Sequence, residues 1–228
     1  MKVLVIDDEK PTLSMFRLFL SAYGYTVFIA EDGEEGIRVF EKQEPEIVFT
    51  DLKMPGMDGL EVLKKIREKK IGSEVIIITG HGDIDKAIQA LDFDASDFIN
   101  KPVEKAALDA ALKRAHARIG MTPGQPFSMR TETSEDRLDI FIKGKMSSLS
   151  ESSLKSAVEA GAKETVLRFD ESFAVDREGI RSLISLIAKL NDKGSRVAME
   201  GLSYNYVRFF QMAGLQGVAG ISETSPDE

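Results

Sequence analysis

Short β-branched runs alternate with segments of helical periodicity over residues 2 to about 119 of this chain. Such an alternation is typical of a parallel sheet whose strands are joined by helices. Most of the runs are apolar on both faces, as buried parallel strands require. The predicted strands are Lys2–Asp7, Tyr25–Ala30, Glu46–Asp51, Glu74–Thr79 and Ser96–Asn100. We therefore expect a doubly wound, five-stranded α/β domain over residues 1–119.

Two of the intervening helices carry apolar residues at the i, i+3, i+4, i+7 spacing that defines one helical face. These stripes are Met15, Leu18, Phe19 and Ala22 in the first helix, and Leu108, Ala111, Leu112 and Ala115 in the last. We expect each stripe to pack against the sheet.

Residues 120–130 interrupt the alternation with two glycines and two prolines, which predicts a linker. A smaller α/β domain with a mixed sheet is expected over residues 131–228. Its predicted strands are Leu138–Lys143, Thr165–Phe169 and Arg196–Met199, and its predicted helices lie near residues 150–160, 177–191 and 204–212. The central helix places Ile180, Leu183, Ile184 and Ile187 on one face, and the polar tail from Ser222 is expected to be frayed.

Composition excludes several classes of protein. The absence of cysteine removes disulfides, thiolate metal sites and a cysteine nucleophile. A formal net charge of -8, with no excess of basic residues in either half, opposes nucleic-acid binding. No apolar run approaches the roughly 20 residues that span a bilayer, and the N-terminus shows no secretion signal. We therefore expect a cytoplasmic protein that does not bind nucleic acid or membranes.

Charged residues follow the predicted strands of the first domain at their carboxyl ends, where open parallel sheets hold their sites. They are Asp7 and Asp8 after the first strand, Asp51 after the third and Lys101 after the fifth, with the hydroxyl of Thr79 after the fourth. Three carboxylates repel one another unless a cation neutralises them, and oxygen ligands without histidine or cysteine suit Mg²⁺. A metal and a lysine could hold a phosphoryl group while a carboxylate attacks it. The pattern thus predicts phosphoryl transfer onto an aspartate.

A simpler explanation is that Asp7-Asp8-Glu9 only caps the next helix and that Lys101-Pro102 is an ordinary turn. It accounts for each element alone. It does not account for acidic and basic groups that all follow the carboxyl ends of strands.

At these residues the chain resembles the receiver domain of bacterial two-component response regulators, over residues 1 to about 119. The motifs stand in the usual order and separation: Asp7-Asp8, the run Thr50-Asp51-Leu52-Lys53-Met54-Pro55-Gly56-Met57-Asp58-Gly59, Thr79-Gly80 and Lys101-Pro102. The resemblance implies a flavodoxin-like fold with Asp51 as the phosphoacceptor.

The resemblance also implies roles for the other site residues. Mg²⁺ would be bound by Asp8, Asp51 and the main-chain carbonyl of Lys53, with Asp7 acting largely through water. Thr79 and Lys101 would contact the phosphoryl oxygens. Phe98 stands at the position of the switch aromatic, and the Lys101–Pro102 bond is expected to be cis.

Two residues stand at positions that tune the lifetime of the phosphoryl group in this family. They are Lys53, two residues after the acceptor, and His81, two residues after Thr79. One hypothesis is that their bulk and charge alter the access of water to the aspartyl phosphate. The alternative is that both are ordinary solvated loop residues.

The C-terminal half lacks the equipment of several output domains. It shows no helix-turn-helix with a basic recognition helix, no P-loop, no histidine for a zinc site or a catalytic triad, and no Gly-x-Ser-x-Gly elbow. Instead it resembles a STAS domain, the module of anti-sigma factor antagonists, over about residues 129–222. The resemblance rests on the run Thr165–Asp170, an Asp-x-x-Gly that opens a helix at Asp176, a following strand, and a last helix that ends in Gly214-Leu215.

In the STAS family the residue after this aspartate is commonly a phosphorylated serine or threonine, whereas here it is Arg177, followed by Glu178. Arginine cannot accept a phosphate. One hypothesis is that control has moved to Asp51 and that the Asp176-Arg177-Glu178 loop binds a partner. The alternative is that Asp176 only caps the helix. Ser172 is a weaker candidate for a displaced acceptor.

Together these features predict a non-enzymatic response regulator. A sensor histidine kinase would phosphorylate Asp51, and the STAS-like domain would bind an anti-sigma factor or a related regulatory kinase. The resemblance also allows a homodimer through the first domain. The alternatives are a phosphate sink or scaffold with an inert output domain, a DNA-binding transcriptional regulator, and an enzyme whose second domain hydrolyses a nucleotide.

Overall fold

The β-branched runs of the first half form one sheet in the computed structural model, which describes residues 1–69, 72–80, 84–119, 127–147, 162–212 and 219–223. The strands are β1 (Lys2–Ile6), β2 (Thr26–Ala30), β3 (Ile47–Asp51), β4 (Glu74–Thr79) and β5 (Asp97–Asn100). All pairs are parallel and the order is β2-β1-β3-β4-β5, so the strand order reverses beside β1. The predicted flavodoxin-like sheet is confirmed, and its switch point lies where Asp7 and Asp51 leave their strands.

Five helices accompany this sheet: α1 (Lys10–Ala22), α2 (Gly33–Gln43), α3 (Gly59–Glu68), α4 (Ile84–Asp92) and α5 (Lys105–Ile119). The stripe predicted for the last helix is confirmed, because Leu108, Ala111, Leu112 and Ala115 are all buried. Sheet and helices together form a compact unit, Met1–Gly120.

The stripe predicted for α1 is wrong. Leu13, Phe16 and Leu20 face the core, whereas Leu18 is 70% exposed and Phe19 is 41% exposed. The helix has two apolar faces, and periodicity alone cannot tell which of them meets the sheet. An apolar face of α1 is therefore left at the surface of this unit.

The second compact unit, Met121–Glu228, has a mixed sheet. Its strands are β6 (Ser128–Ser134), β7 (Arg137–Lys143), β8 (Lys145–Met146), β9 (Glu164–Phe169), β10 (Ala174–Val175), β11 (Arg196–Leu202) and β12 (Gly220–Glu223), and its described helices are α6 (Arg177–Asp192) and α7 (Tyr204–Met212). The main sheet has the order β12-β11-β9-β7-β6, and only the β6–β7 pair is antiparallel. Strands β8 and β10 form a separate parallel pair.

Three sequence expectations for this unit need correction. Strand β6 begins at Ser128, so the last residues of the predicted linker belong to the sheet, where the polar run 128–134 pairs with the apolar alternation of β7. Strand β12 extends to Glu223, into the tail that was expected to be frayed. Ile184 is 41% exposed, because the buried face of α6 runs instead through Leu183, Leu186 and Leu190.

The helix predicted near residues 150–160 lies outside the described residues. Among the helices that are described, none has the length and apolar character needed to cross a bilayer.

Candidate functional site

The predicted acidic residues converge at the carboxyl edge of the first sheet. Asp7 and Asp8 leave β1, and Asp51 is the last residue of the neighbouring β3. One carboxylate oxygen from each of the three residues lies within 4.8 Å of the others. Asp7 and Asp51 are buried and Asp8 is exposed, so the cluster opens to solvent on one side.

Lys101 completes this cluster from the end of β5. Its Nζ lies 2.6 Å from Asp51 Oδ2, 3.1 Å from Asp7 Oδ2 and 3.4 Å from Glu9 Oε2. Partial burial lowers the pKa of Lys101, but the hydrogen bond and charge of Asp51, together with Asp7, outweigh it and raise the pKa above its ordinary value. The lysine is therefore held as a cation beside the Asp51 carboxylate.

Asp7 is the most costly charge in the site because its side chain is fully buried. Its Oδ1 accepts a hydrogen bond of 2.8 Å from the Glu9 N–H. Its Oδ2, although close to Lys101, has no partner in hydrogen-bonding geometry. Burial raises the pKa of Asp7, against the hydrogen bond from Glu9 and the charge of Lys101.

The residues fit a hard divalent cation. The donor set consists of carboxylate oxygens from three residues, one carboxylate oxygen is buried without a hydrogen bond, and a single lysine leaves the negative charge uncompensated. Mg²⁺ prefers such oxygen ligands and retains water on its open side. The acidic pocket is thus consistent with Mg²⁺ binding.

The loop after β3 is shaped around Asp51. A Cβ at Gly59 would lie 2.2 Å from the Asp51 carbonyl oxygen, so only glycine lets α3 start this close to the strand. Asp58 caps α3 in a capping box with Glu61. The Lys53 N–H donates to Asp51 Oδ1 at 3.3 Å, and the Lys53 side chain is exposed. The Asp51 carboxylate thus accepts a hydrogen bond at each oxygen, from the Lys53 N–H and from Lys101.

Thr79 and Phe98 lie on the last two strands of the sheet, β4 and β5. Thr79 ends β4, whose preceding residue Ile78 pairs with Asp51, and both Thr79 and Phe98 are almost fully buried. The Lys101–Pro102 peptide bond is cis, as expected. His81 lies outside the described residues.

One residue that touches the site was missed by sequence reasoning. Glu9 is the N-cap residue of α1, but its side chain makes no capping hydrogen bond and instead approaches Lys101 and Thr12. Its position next to Asp7-Asp8 was the only available signal, and that signal equally fits a helix cap.

The residues predicted to bind a partner in the second unit, Asp176, Arg177 and Glu178, form the N-terminus of helix α6. Asp176 caps α6 by accepting from the Gly179 N–H at 2.8 Å, and Arg177 and Glu178 are exposed, with Glu178 paired to Arg181. A Cβ at Gly179 would lie 2.1 Å from the Met146 carbonyl oxygen, which fixes the loop against β8.

Ser172 does not present a hydroxyl to solvent. Its Oγ is buried, accepts from the Gly144 N–H at 3.0 Å and donates to Asp170 Oδ1 at 2.6 Å. These contacts give Ser172 a structural role and weaken it as a displaced phosphoacceptor.

An α/β fold with this acidic pocket is typical of one class of signalling domain. The comparisons with known proteins point to the same class. Residues 3–113 match the family model of the response regulator receiver domain. The first unit is a receiver domain of the two-component type; the family match ends before the second unit.

Individual relatives also match about half of this chain. The transcriptional regulatory proteins GlrR of Escherichia coli K12 and QseF of Escherichia coli O157:H7 are each 38% identical over 113 residues, which cover 50% of this chain and 26% of theirs. The chain thus spans about a quarter of the length of these relatives. A receiver domain structure from Clostridium thermocellum is 38% identical, covers 52% of this chain and 95% of its own, and has a TM-score of 0.50.

A more distant structure supports the fold alone. The signal receiver domain of an HD domain-containing protein from Pseudomonas fluorescens Pf-5 is 23% identical, with a TM-score of 0.50, and covers 53% of this chain and 98% of its own.

Proposed function

We propose that this chain is a cytoplasmic response regulator that accepts a phosphoryl group on Asp51 from a sensor histidine kinase and passes the signal to a protein-binding second unit. The observation that carries the proposal is the convergence of Asp7, Asp8 and Asp51 on Lys101 at one sheet edge. This arrangement supports phosphoryl acceptance, because acid groups and a cation surround one exposed side of a buried acceptor.

In the proposed reaction a carboxylate oxygen of Asp51 attacks the phosphorus of a phosphohistidine. The P–N bond breaks, and the imidazole leaves with its electron pair and takes up a proton. Lys101 and the hydroxyl of Thr79 would contact the phosphoryl oxygens and neutralise their charge. Asp8, Asp51 and the Lys53 carbonyl would hold Mg²⁺ directly and Asp7 through water; bound Mg²⁺ supplies further charge neutralisation.

A protein phosphodonor is favoured by an exposed apolar face on α1. The exposed face of α1 carries Leu18 and Phe19, and α1 begins directly after the residues of the acidic pocket. Exposed apolar side chains grouped on one helix are typical of protein interfaces.

The second unit is proposed to be a STAS-like output domain that binds an anti-sigma factor or a related regulatory kinase. Its support is a rigid loop with exposed charges at Arg177 and Glu178, mounted by the Asp176 cap and the close approach of Gly179 to β8. Arg177 offers no hydroxyl for phosphorylation, which supports control through Asp51 instead.

A second candidate is transcriptional regulation, since two relatives that share the receiver domain are named transcriptional regulatory proteins. Those matches cover the receiver half only, and the acidic balance of the chain disfavours contact with DNA. A phosphate sink with an inert second unit is a third candidate, supported by Arg177.

Phosphoryl uptake from acetyl phosphate tests the first part of the proposal. With Mg²⁺, the wild-type chain should gain one phosphoryl group by intact-mass spectrometry, and Asp51→Asn should gain none. Asp58→Asn is the matched control, because asparagine also caps helices well and should leave uptake unchanged. Uptake by Asp51→Asn equal to wild type would contradict the assignment.

Capture of partners tests the second part. Full-length wild type with and without beryllofluoride, Asp51→Asn, and a double Arg177→Ala, Glu178→Ala variant serve as baits. A partner should be retained in only one phosphorylation state and be lost with the loop variant. A partner retained equally by every bait would overturn the gating proposal.

Lys53 and His81 are proposed to tune the lifetime of the aspartyl phosphate. Lys53 is exposed next to the acceptor and its N–H already contacts Asp51. Dephosphorylation rates of Lys53→Asn and His81→Glu measure the effect, and rates equal to wild type would remove the idea.

A further inference from the structure

Two arginines from two different helices hydrogen-bond to backbone carbonyls just before β5. Arg67 of α3 donates Nε and Nη2 to the Asp94 carbonyl at 3.1 and 2.7 Å. Arg114 of α5 donates Nη2 to the Ser96 carbonyl at 3.3 Å, and its Nε lies 3.5 Å from Asp97 Oδ2. Among the described strands, β5 pairs with β4 alone and is therefore an edge strand. The arginine hydrogen bonds hold in place a strand that has a described neighbouring strand on one side only.

The Asp97–Arg114 ion pair is buried, with side chains 1% and 4% exposed. Burying two charges costs more than packing two apolar side chains of similar size, so a buried pair needs a reason beyond stability. Asp97 also accepts a hydrogen bond of 2.9 Å from the Phe98 N–H. One carboxylate thus ties α5 to the backbone of the residue at the switch position.

The same strand leads directly to the phosphoryl site. Lys101 follows β5, and its N–H donates to the Thr79 carbonyl at 2.7 Å. Any displacement of Lys101, Thr79 or Phe98 that accompanies phosphorylation therefore acts on β5, and the buried pair is a charged contact between β5 and α5. Helix α5 ends at Ile119, where the first unit ends.

We propose that the buried Asp97–Arg114 ion pair couples the state of the phosphoryl site to α5. The coupling rests on the proposed function, because it requires that Asp51 accept a phosphoryl group. Asp97 and Arg114 act here as positioning residues, since neither belongs to the acidic pocket. Without the pair, the site keeps its chemistry but α5 no longer responds to it.

The chain contains a matched control. Arg118, one turn further along α5, pairs at 2.7 Å with Glu74, the first residue of β4. Both side chains are largely buried, so this pair also ties α5 to the sheet. Glu74 lies on β4, five residues before Thr79, and not on β5, the strand that carries Phe98 and leads to Lys101, so this pair should not carry the signal.

Hydrogen exchange of the full-length chain, with Mg²⁺ and with or without beryllofluoride, measures the coupling. Peptides from α5 should change their exchange on beryllofluoride binding in wild type and in the Glu74→Gln, Arg118→Met double variant. In the Asp97→Asn, Arg114→Met double variant the change in α5 should be lost, while binding of beryllofluoride measured by calorimetry stays within a few-fold of wild type. The Asp97→Asn substitution keeps a side-chain oxygen that can accept from the Phe98 N–H. Asp97→Asn alone is a milder variant that should weaken the response if the double variant does not fold.

A full α5 response in the Asp97→Asn, Arg114→Met variant would overturn the proposal. Beryllofluoride binding to wild type without any α5 response would overturn it as well, while leaving phosphoryl acceptance at Asp51 intact. If wild type binds no beryllofluoride at all, the proposed function itself fails, and the coupling fails with it.

Discussion

Each of the two units has a main sheet of five strands, but the charged residues on the two sheets are paired differently. In the first unit, Asp7 and Asp51 are buried at the carboxyl edge with one lysine between them. In the second, Asp139 on β7 accepts from Arg137 and Arg168 at 2.9 and 2.8 Å on the face of the sheet.

This difference in charge pairing indicates which of the two units carries chemistry. In the second unit Asp139 pairs with Arg137 on its own strand and with Arg168 on the neighbouring β9, and Arg168 also pairs with Glu200 on β11, so these charges balance one another. The first unit holds more buried negative charge than its lysine balances. That excess favours the binding of a cation, so chemistry is expected at the carboxyl edge of the first sheet.

Both units use glycine to bring a helix close to a carbonyl oxygen, and this common device gives the largest expected effects. Gly59→Ala and Gly179→Ala would place a Cβ 2.2 and 2.1 Å from the carbonyl oxygens of Asp51 and Met146. Each should lower the free energy of unfolding of its own unit by about 3 kcal/mol, because the backbone must move apart. Hydrogen exchange under increasing urea, read separately for peptides of each unit, measures this.

Gly72→Ala is the control for those variants, since its Cβ would meet no atom within 4 Å. It should change stability by no more than about 0.5 kcal/mol. Equal effects at Gly59 and Gly72 would show that close approach is not what the glycine provides.

Neutralising one carboxylate in each unit should change stability in opposite directions. Asp7→Asn should stabilise the Mg²⁺-free first unit by about 1 kcal/mol, because it removes a buried carboxylate whose Oδ2 has no hydrogen bond. Asp139→Asn should destabilise the second unit by about 1 kcal/mol, because it removes the partner of two arginines. The same urea-dependent exchange measures both, and changes of equal sign would contradict the contrast drawn between the units.

The contribution of Asp139 to the free energy of unfolding of the second unit should depend on pH. The hydrogen bond from Arg137, with that from Arg168, holds the pKa of Asp139 below its ordinary value of 3.8. A lowered pKa in the folded state stabilises the protein above the ordinary pKa, and that contribution disappears as the pH falls below it. The difference between wild type and Asp139→Asn should therefore be constant from about pH 7 to about pH 5 and shrink toward about pH 3. A difference that stays unchanged at acid pH would show that Asp139 does not act through its charge.

Much of the first unit could be predicted from sequence, because its signals are local. The β-branched runs fix the strands, parallel pairing brings their carboxyl ends together, and Asp7, Asp51 and Lys101 follow from that placement. The rotation of α1 could not be predicted, since both of its faces are apolar and only the packing against the sheet chooses Leu13 and Phe16 over Leu18.

The second unit shows where such signals end. Strand β6 is polar except for Met129, and its pairing with β7 is a tertiary contact that no periodicity predicts. Similarly, the contact of Glu9 with Lys101 and the buried Asp97–Arg114 pair join residues that sequence periodicity does not connect. Long-range pairing of charges is set by the fold, and the sequence shows only that the charges exist.

Phosphoryl acceptance at Asp51 is tested by locating the phosphoryl group in the sequence. The full-length chain is treated with acetyl phosphate in the presence of Mg²⁺ or of a chelator, reduced with borohydride to convert aspartyl phosphate into homoserine, and mapped by peptide mass spectrometry. We predict homoserine at Asp51 alone, only with Mg²⁺, and none in the second unit. Asp51 is not the phosphoacceptor if it stays unmodified in the presence of Mg²⁺. Homoserine in the second unit would likewise contradict phosphoryl acceptance at Asp51 alone.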